Sequence, residues 1–428
     1  MKDFALSTAL WQKACRLIPG GTHTYSKRVT TLLDAGKFPA YAVRAEGAHL
    51  YDLDGRCYVD YIAALAPILL GYAHPRVQAR IQAQLKDGGL FSLPHPMEVE
   101  LAELLTRVVP CCEMVRLFKT GAEATSAAVR CARLATGREA IVQCGYHGWH
   151  DWWAVTLSRA GIPKATADLT VNFAFNDFDS FRSVLAQHGD RAAAIVLTPA
   201  AYGVEPAPGF LECVRAEASR RGIVLVFDEI ITGFRWSLGG AQGKYGVKPD
   251  LACVGKSMAN GMPLGALVGA RTLMAPLKDN WMSSTFASDA LAIAASLETI
   301  AILRDEPVYP KLYDVAKRLN AGIGQLAAAA GIPIAVGAAV PAIHFSFLAE
   351  PAERATWIDT FVGSCAEHGV LVRRDATGVS LCLIAALTDE DIERTMQAMN
   401  SAFHEVARLA NEKKTGPKGA VMPQPAAR

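Results

Sequence analysis

A lysine, an acid pair and a glycine-bearing turn, each closing an apolar run, carry most of the chemistry open to this sequence. The lysine is Lys256, at the end of Ala252-Cys253-Val254-Gly255-Lys256. Lysine is rarely fully buried unless paired or chemically used, and as a neutral amine it is a nucleophile for Schiff-base formation. The acids are Asp228 and Glu229, which close Val224-Leu225-Val226-Phe227. A carboxylate there is costly unless a partner offsets its desolvation, and a cationic ring nitrogen would do so. The turn is Phe118-Lys119-Thr120-Gly121-Ala122-Glu123. A helix beginning at Gly121 offers free amides to an anion, and glycine lets a phosphate approach the backbone. Each feature has a plainer reading: a surface lysine, a strand-end acid capping a loop, a strand–helix junction capped by Thr120. For the acids and the turn, taken singly, the plainer reading is the better one.

A fourth cluster, Gly145-Tyr146-His147-Gly148-Trp149-His150-Asp151-Trp152-Trp153, is dense in aromatic rings. It reads either as a lid stacking on a planar ligand or as packing alone. His147 and His150 could begin a zinc site, but no third ligand is evident and no HExxH pattern occurs, so no metal is expected.

Open α/β sheets hold ligands at the carboxyl ends of their strands, so the elements that end in these residues decide whether they meet. Residues Ser7 to Leu17 suit a short amphipathic helix, and Tyr41–Glu46, His49–Asp52 and Cys57–Tyr61 suit short strands turning at Asp54-Gly55. From about residue 97 helical patterns alternate with apolar strands: Met114–Phe118, Ala140–Gln143, Ala193–Thr198, Ile223–Phe227 and Leu251–Val254. That alternation is the mark of an α/β unit with a parallel sheet covered on both faces. A helix follows over Ala290–Leu303, then β-like runs at Ala342–Phe347 and Val370–Arg373. The polar tail from Asn411 is expected to be mobile.

The chain has 428 residues, 51% of them hydrophobic and 20% charged, with net charge +2. Such a chain can fill a large core, and its charge gives no reason to expect nucleic acid or an anionic membrane as partner. Leu319 to Ala349 carries no Asp, Glu, Lys or Arg, yet Gly331, Pro333, Gly337 and Pro341 break it. It reads as a buried helix end followed by buried strands, since a membrane span needs ~20 continuous apolar residues. Ten cysteines without CxxC spacing, in a long chain without a signal-peptide pattern, suit reduced thiols and a cytoplasmic location.

Phosphate cradle, acid, lysine and aromatic ring together resemble the site of the class III pyridoxal-phosphate aminotransferases, closest to their glutamate-1-semialdehyde aminomutase branch. The resemblance runs from about Ile18 to about Met399 and rests on five motifs in order. FKTGAEATSAAVRCAR and CGYHGWHD lead to FDEIITGFR at Phe227–Arg235, then GVKPDLACVGKSMANGMPLGALVGA at Gly246–Ala270, then STFASDALAIAAS.

This resemblance implies a fold type I α/β transferase. Its large domain, over residues 65–303, has a mostly parallel sheet and binds pyridoxal 5′-phosphate. A smaller α+β domain is built from both termini, residues 1–64 and 304–410, before a tail at 411–428. The resemblance further implies that Lys256 forms the Schiff base and shuttles the proton, and that Asp228 keeps the pyridine nitrogen protonated, with Glu229 as the adjacent catalytic acid. Ile230 and Tyr146 would sandwich the ring, with His147 beside it, and the Gly121 and Ala122 amides would hold the phosphate. Thr285 would reach the phosphate across a dimer interface, making the enzyme a homodimer with shared sites. Lys27, at the branch's arginine position, with Arg28 and Trp149 would contact substrate.

Several positions depart from the family. Ala122 replaces a Ser or Thr, Val379 stands where the aminomutase branch carries a glutamate, and the run Ser380-Leu381-Cys382-Leu383-Ile384-Ala385-Ala386-Leu387 lacks the arginine of many transaminases. The expected activity is therefore ping-pong transamination between a small amino donor and a carbonyl acceptor. An aminomutase or epimerase is the alternative, and a non-catalytic binding partner a remote one.

Overall fold

The computed structural model describes residues 4–28 and 38–415. Its strands, in chain order, begin with β1 (Ala42–Glu46), β2 (His49–Asp52), β3 (Cys57–Asp60), β4 (Met114–Phe118), β5 (Ala140–Cys144), β6 (Thr170–Asn172) and β7 (Ala192–Leu197). They continue with β8 (Val224–Glu229), β9 (Leu251–Val254), β10 (Gly265–Gly269), β11 (Ile334–Val336) and β12 (Ala342–Phe347). The last are β13 (Val370–Leu371), β14 (Arg373–Arg374) and β15 (Gly378–Cys382).

The central sheet has seven strands in the order β4-β10-β9-β8-β7-β5-β6. Strands β6, β5, β7, β8 and β9 pair in parallel, whereas β10 runs antiparallel to both β9 and β4. Every residue of β5, β7, β8 and β9 is buried, as continuous apolar runs demand when helices cover both faces. Strand β10 escapes a pattern reading because Gly265 and Gly269 bound its short apolar run. Those glycines allow close approach: a Cβ at Gly265 would come within 2.7 Å of the Thr120 carbonyl oxygen, and one at Gly269 within 2.6 Å of that of Asp250. The first of these contacts sets β10 against the turn after β4.

Two four-stranded sheets flank this core. One, β1-β2-β3-β13, joins the two chain ends through the parallel β3–β13 pair; the other has the order β11-β12-β15-β14. The single strand expected over Val370–Arg373 is divided between them. Val370–Leu371 pairs with β3, and Arg373–Arg374 pairs with β15, so the chain passes from one sheet to the other at Val372. The apolar 319–349 stretch becomes the end of the Val308–Ala329 helix followed by β11 and β12. No helix among the described residues is long and apolar enough to cross a membrane.

The start of the tail expected to be mobile is helical instead. The Asp389–Thr415 helix continues past Asn411, with Arg408 bound to Glu412 one turn on at 2.8 Å; such i,i+4 pairs support an exposed helix end. Residues 416–428 of that tail lie outside the described residues.

Candidate active site

Successive side chains of a strand point to opposite faces, so the acids ending β8 part company. Asp228 is buried, with its Oδ2 2.7 Å from His147 Nδ1 and its Oδ1 accepting from the Ile230 amide at 3.1 Å. His147 is held in turn: Thr125 Oγ1 donates to its carbonyl at 2.7 Å, and its ring meets that of Trp153 edge-on at 5.0 Å. With Nδ1 donating to the carboxylate, the buried Nε2 has no partner. His147 thus steadies Asp228 from behind.

Glu229, expected beside Asp228 as a catalytic acid, is committed elsewhere. Its carboxylate accepts from Thr232 Oγ1 (2.8 Å), the amides of Ala241 (2.6 Å) and Gln242 (3.1 Å), and Gln242 Nε2 (3.0 Å). Burial raises its pKa, against the pull of those four bonds. It ties the end of β8 to the Gly240–Tyr245 helix, and strand alternation is the reason it misses the site.

Lys256 follows β9 after Gly255 and opens the short 3-10 turn Lys256–Ala259 with φ 44°. A left-handed backbone on a non-glycine residue stores strain that the surrounding structure must hold. Burial lowers the pKa of its amine to about 8; the charge of Asp228 opposes that shift, and Arg373 and Arg235 add to it. Its Nζ has no hydrogen bond or ion pair among the described residues, leaving an amine that is free to react.

The turn after β4 forms a cradle. Thr120 and Glu123 make a reciprocal capping box, Glu123 Oε2 accepting from the Lys119 and Thr120 amides at 2.9 Å. The Gly121 and Ala122 amides, first in the Gly121–Thr136 helix, have no acceptor among the described residues, so they remain available to an anion. Ile230 packs against this turn: a Cβ on Gly121 would come within 2.9 Å of Ile230 Cδ1, and one on Gly255 within 3.2 Å of the same atom. Gly148 lies equally close to Ala122. The cradle, Ile230 and the loop at 145–148 are therefore neighbours.

Other expected residues sit at the margin. Tyr146 is 58% exposed, yet its hydroxyl pKa is raised by burial and by the charge of Asp228, so it lies near that acid. Trp149 is 73% exposed and Thr285 is also exposed. Lys27 and Arg28 line a cavity of about 850 Å³ with Trp11, Tyr25, Asp60 and Arg373. The two zinc-type histidines have separate partners, Asp228 for His147 and Ser126 Oγ (2.6 Å) for His150. Among the described residues no group of three metal-ligating side chains occurs.

The sequence reading missed Arg235, although it lies within FDEIITGFR. Wholly buried, it donates to the carbonyls of Ala66 (2.8 Å), Ile68 (3.0 Å) and Leu383 (2.8 Å). These bonds brace the left-handed run Ala63–Ala66, whose φ values are 50°, 53°, 72° and 81°. Arg373 and Cys382, whose charges also act on Lys256, carry no local sequence signal.

The residues present fit pyridoxal phosphate. An uncommitted amine on a half-buried lysine, a braced carboxylate whose charge acts on it, two free helix-terminal amides and the apolar side chain of Ile230 packed against them make up that site. A profile of the family described as "Aminotransferase class-III" matches residues 33–403. The chain is 37% identical over 430 residues to a glutamate-1-semialdehyde 2,1-aminomutase of Chlorobium chlorochromatii, covering 94% of this chain and 99% of that protein. It is 36% identical over 431 residues to the protein of that name from Thermomicrobium roseum, with the same coverage. Among solved structures, the PLP internal aldimine form of the Sphingopyxis FumI protein superposes with TM-score 0.87 at 28% identity, over 96% of this chain and 97% of that one. An omega-transaminase from Sphaerobacter thermophilus gives TM-score 0.84 at 27% identity, over 94% and 98%. The chain belongs to the class III aminotransferases, with the fold type I architecture of pyridoxal-phosphate-dependent transferases, and its cofactor is pyridoxal 5′-phosphate.

Proposed function

We propose that the chain moves an amino group between carbons of one small-molecule substrate, as an aminomutase. The free, pKa-lowered amine of Lys256 beside the braced Asp228 carries the amino-group chemistry. The aminomutase names of relatives at 36–37% identity over nearly the whole chain favour the intramolecular outcome. When bound, pyridoxal phosphate supplies an aldehyde that captures amines and a ring that draws electrons from the adjacent carbon. Lys256 would hold that aldehyde and, once displaced by the substrate amine, carry the proton as its own amine cycles between charged and neutral. Asp228 would bond the ring nitrogen with the oxygen capacity that His147 leaves free. The Gly121 and Ala122 amides would take the phosphate, and Ile230 and Tyr146 would flank the ring and keep water from it.

Transfer of the amino group to a separate acceptor is the second reading. Its support is Val379, buried in β15 where the aminomutase branch carries a glutamate, together with the likeness to transaminase structures. A half-reaction with the purified holoenzyme separates the two. Stoichiometric release of a keto product signifies transamination; an isomerised amine with no free keto product signifies the mutase.

We further propose that the chain forms a homodimer. Trp281, Phe286, Phe91 and Leu93 are exposed apolar side chains on two segments joined where the Ala290 amide donates to the Gly89 carbonyl at 2.8 Å. A second copy would cover them and bring Thr285 to its neighbour's cradle. We read residues 65–303 as the cofactor-holding domain and 1–64 with 304–410 as the domain closing over it. The ten unpaired thiols, seven of them buried, suit a reducing cytoplasm.

A further inference from the structure

Lys256 keeps a left-handed backbone, and the groups that hold it there come from a distant part of the chain. The turn it opens has little of its own to fix it. The Met258 amide donates to the Gly255 carbonyl at 3.0 Å, and the Asn260 amide to the Ser257 carbonyl at 3.4 Å. Asn260 closes the turn and is also left-handed, at φ 42° and ψ 46°, a conformation that asparagine accepts more readily than most residues. Met258 and Ala259 are apolar and wholly buried. Beyond the lysine, the polar side chains of the turn are therefore Ser257 and Asn260.

Both are buried, and both bond to one segment far earlier in the chain. Ser257 Oγ donates to the Ala66 carbonyl at 3.2 Å, the same oxygen that Arg235 Nη2 reaches at 2.8 Å. Asn260 Oδ1 accepts from the Leu69 and Leu70 amides at 3.0 and 2.9 Å, and its Nδ2 donates to the Gly71 carbonyl at 2.9 Å. That segment follows Ala63–Ala66, four left-handed residues in succession without a glycine. Such residues ordinarily occur singly, and they persist only where their surroundings over-determine them. The segment is anchored from its other side as well, the Ala385 amide donating to the Leu69 carbonyl at 2.7 Å. Two strained stretches, one of them carrying the reactive amine, are thus latched together by side chains one and four positions after Lys256.

We propose that Asn260 and Ser257 are positioning residues for Lys256: by latching its turn to residues 66–71 they fix the direction in which the lysine side chain leaves the backbone, and so where its amine meets the cofactor. They act through the backbone of the turn, not on the reacting atoms. The proposal rests on Lys256 being the amine that holds the cofactor, as proposed above, and adds what sets its aim.

The test follows capture of pyridoxal phosphate by the full-length, cofactor-free protein through the lysine-linked absorbance, with the folded fraction measured separately by circular dichroism. Asn260→Gly is the central variant, because glycine accepts the left-handed turn yet cannot make the three bonds. In its folded fraction the capture rate should fall about ten- to a hundredfold, the equivalent of one or two hydrogen bonds. The pH at which capture levels off should also rise from about 8 toward the ordinary lysine value of about 10.4, because a side chain released from its burial meets water. Asn260→Ala, which adds left-handed strain, should lose more. Ser257→Ala leaves Ala66 its bond from Arg235, so it should fold like wild type and capture cofactor about two- to fivefold more slowly. Variants that lose stability but capture cofactor at the wild-type rate and with the wild-type pH profile would overturn the proposal, leaving the latch a support of the fold alone. If Asn260→Gly does not fold, Ser257→Ala decides: a wild-type rate there would equally overturn it. Failure of the underlying assignment looks different: wild type would then show no lysine-linked cofactor absorbance that Lys256→Ala removes.

Discussion

The two faces of the β8 end hold adjacent acids in opposite conditions. On the Glu229 face every bonding position finds a protein partner: four donors meet one carboxylate, joining the strand to the next helix. On the Asp228 face capacity is left over. Lys256 has no partner among the described residues, His147 Nε2 is unpaired, and the cradle amides are open. A buried polar group whose bonds are satisfied stabilises the fold, whereas one left unsatisfied is held in readiness for something else.

That contrast can be broken most sharply at Lys256. Lys256→Ala should lower turnover by at least about 10³-fold, within the range for removal of a positioned proton carrier, and abolish the lysine-linked absorbance, while denaturant unfolding stays close to wild type. Glu229→Ala should do the reverse. Leaving the Ala241 and Gln242 donors buried and unpaired should cost about 3 kcal/mol or more in urea unfolding, with the cofactor absorbance retained in whatever fraction stays folded. If Glu229→Ala instead kept its stability and lost turnover, the division between the two faces would fail.

His147→Phe should fall between them. Losing the bond to a charged acceptor should lower kcat about ten- to a hundredfold and alter the pH profile of the bound cofactor, because Asp228 loses its brace. Lys256 also predicts a pH dependence. Capture of cofactor needs the neutral amine, and the pKa is lowered to about 8, so the capture rate of cofactor-free protein should rise with pH and level off above about 8. An unperturbed lysine would keep gaining until about 10.4. The smallest effect is expected at Ala122: Ala122→Ser should tighten cofactor binding by no more than about tenfold, the value of one added hydrogen bond, measured by equilibrium titration.

Much of this was legible in the chain. The strands ending in Asp228 and Lys256 announce themselves because sheets covered on both faces demand unbroken apolar runs, which make a polar end conspicuous. The capping box at Thr120–Glu123 marks its helix start for a similarly local reason. Strand β10 was not legible, because its glycines serve contacts with Thr120 and Asp250 that exist only after folding. The division of 370–374 between two sheets was equally hidden, since it depends on which edges β3 and β15 present.

By itself, then, the sequence determined which residues could react and which elements would carry them, since residue type and periodicity are local properties. Only the tertiary structure decided what each polar group has left to give. Strand alternation turned Glu229 away, and carbonyls from distant segments of the chain took up the Nη atoms of Arg235. Spare bonding capacity depends on neighbours far apart in the chain, and no local pattern encodes it.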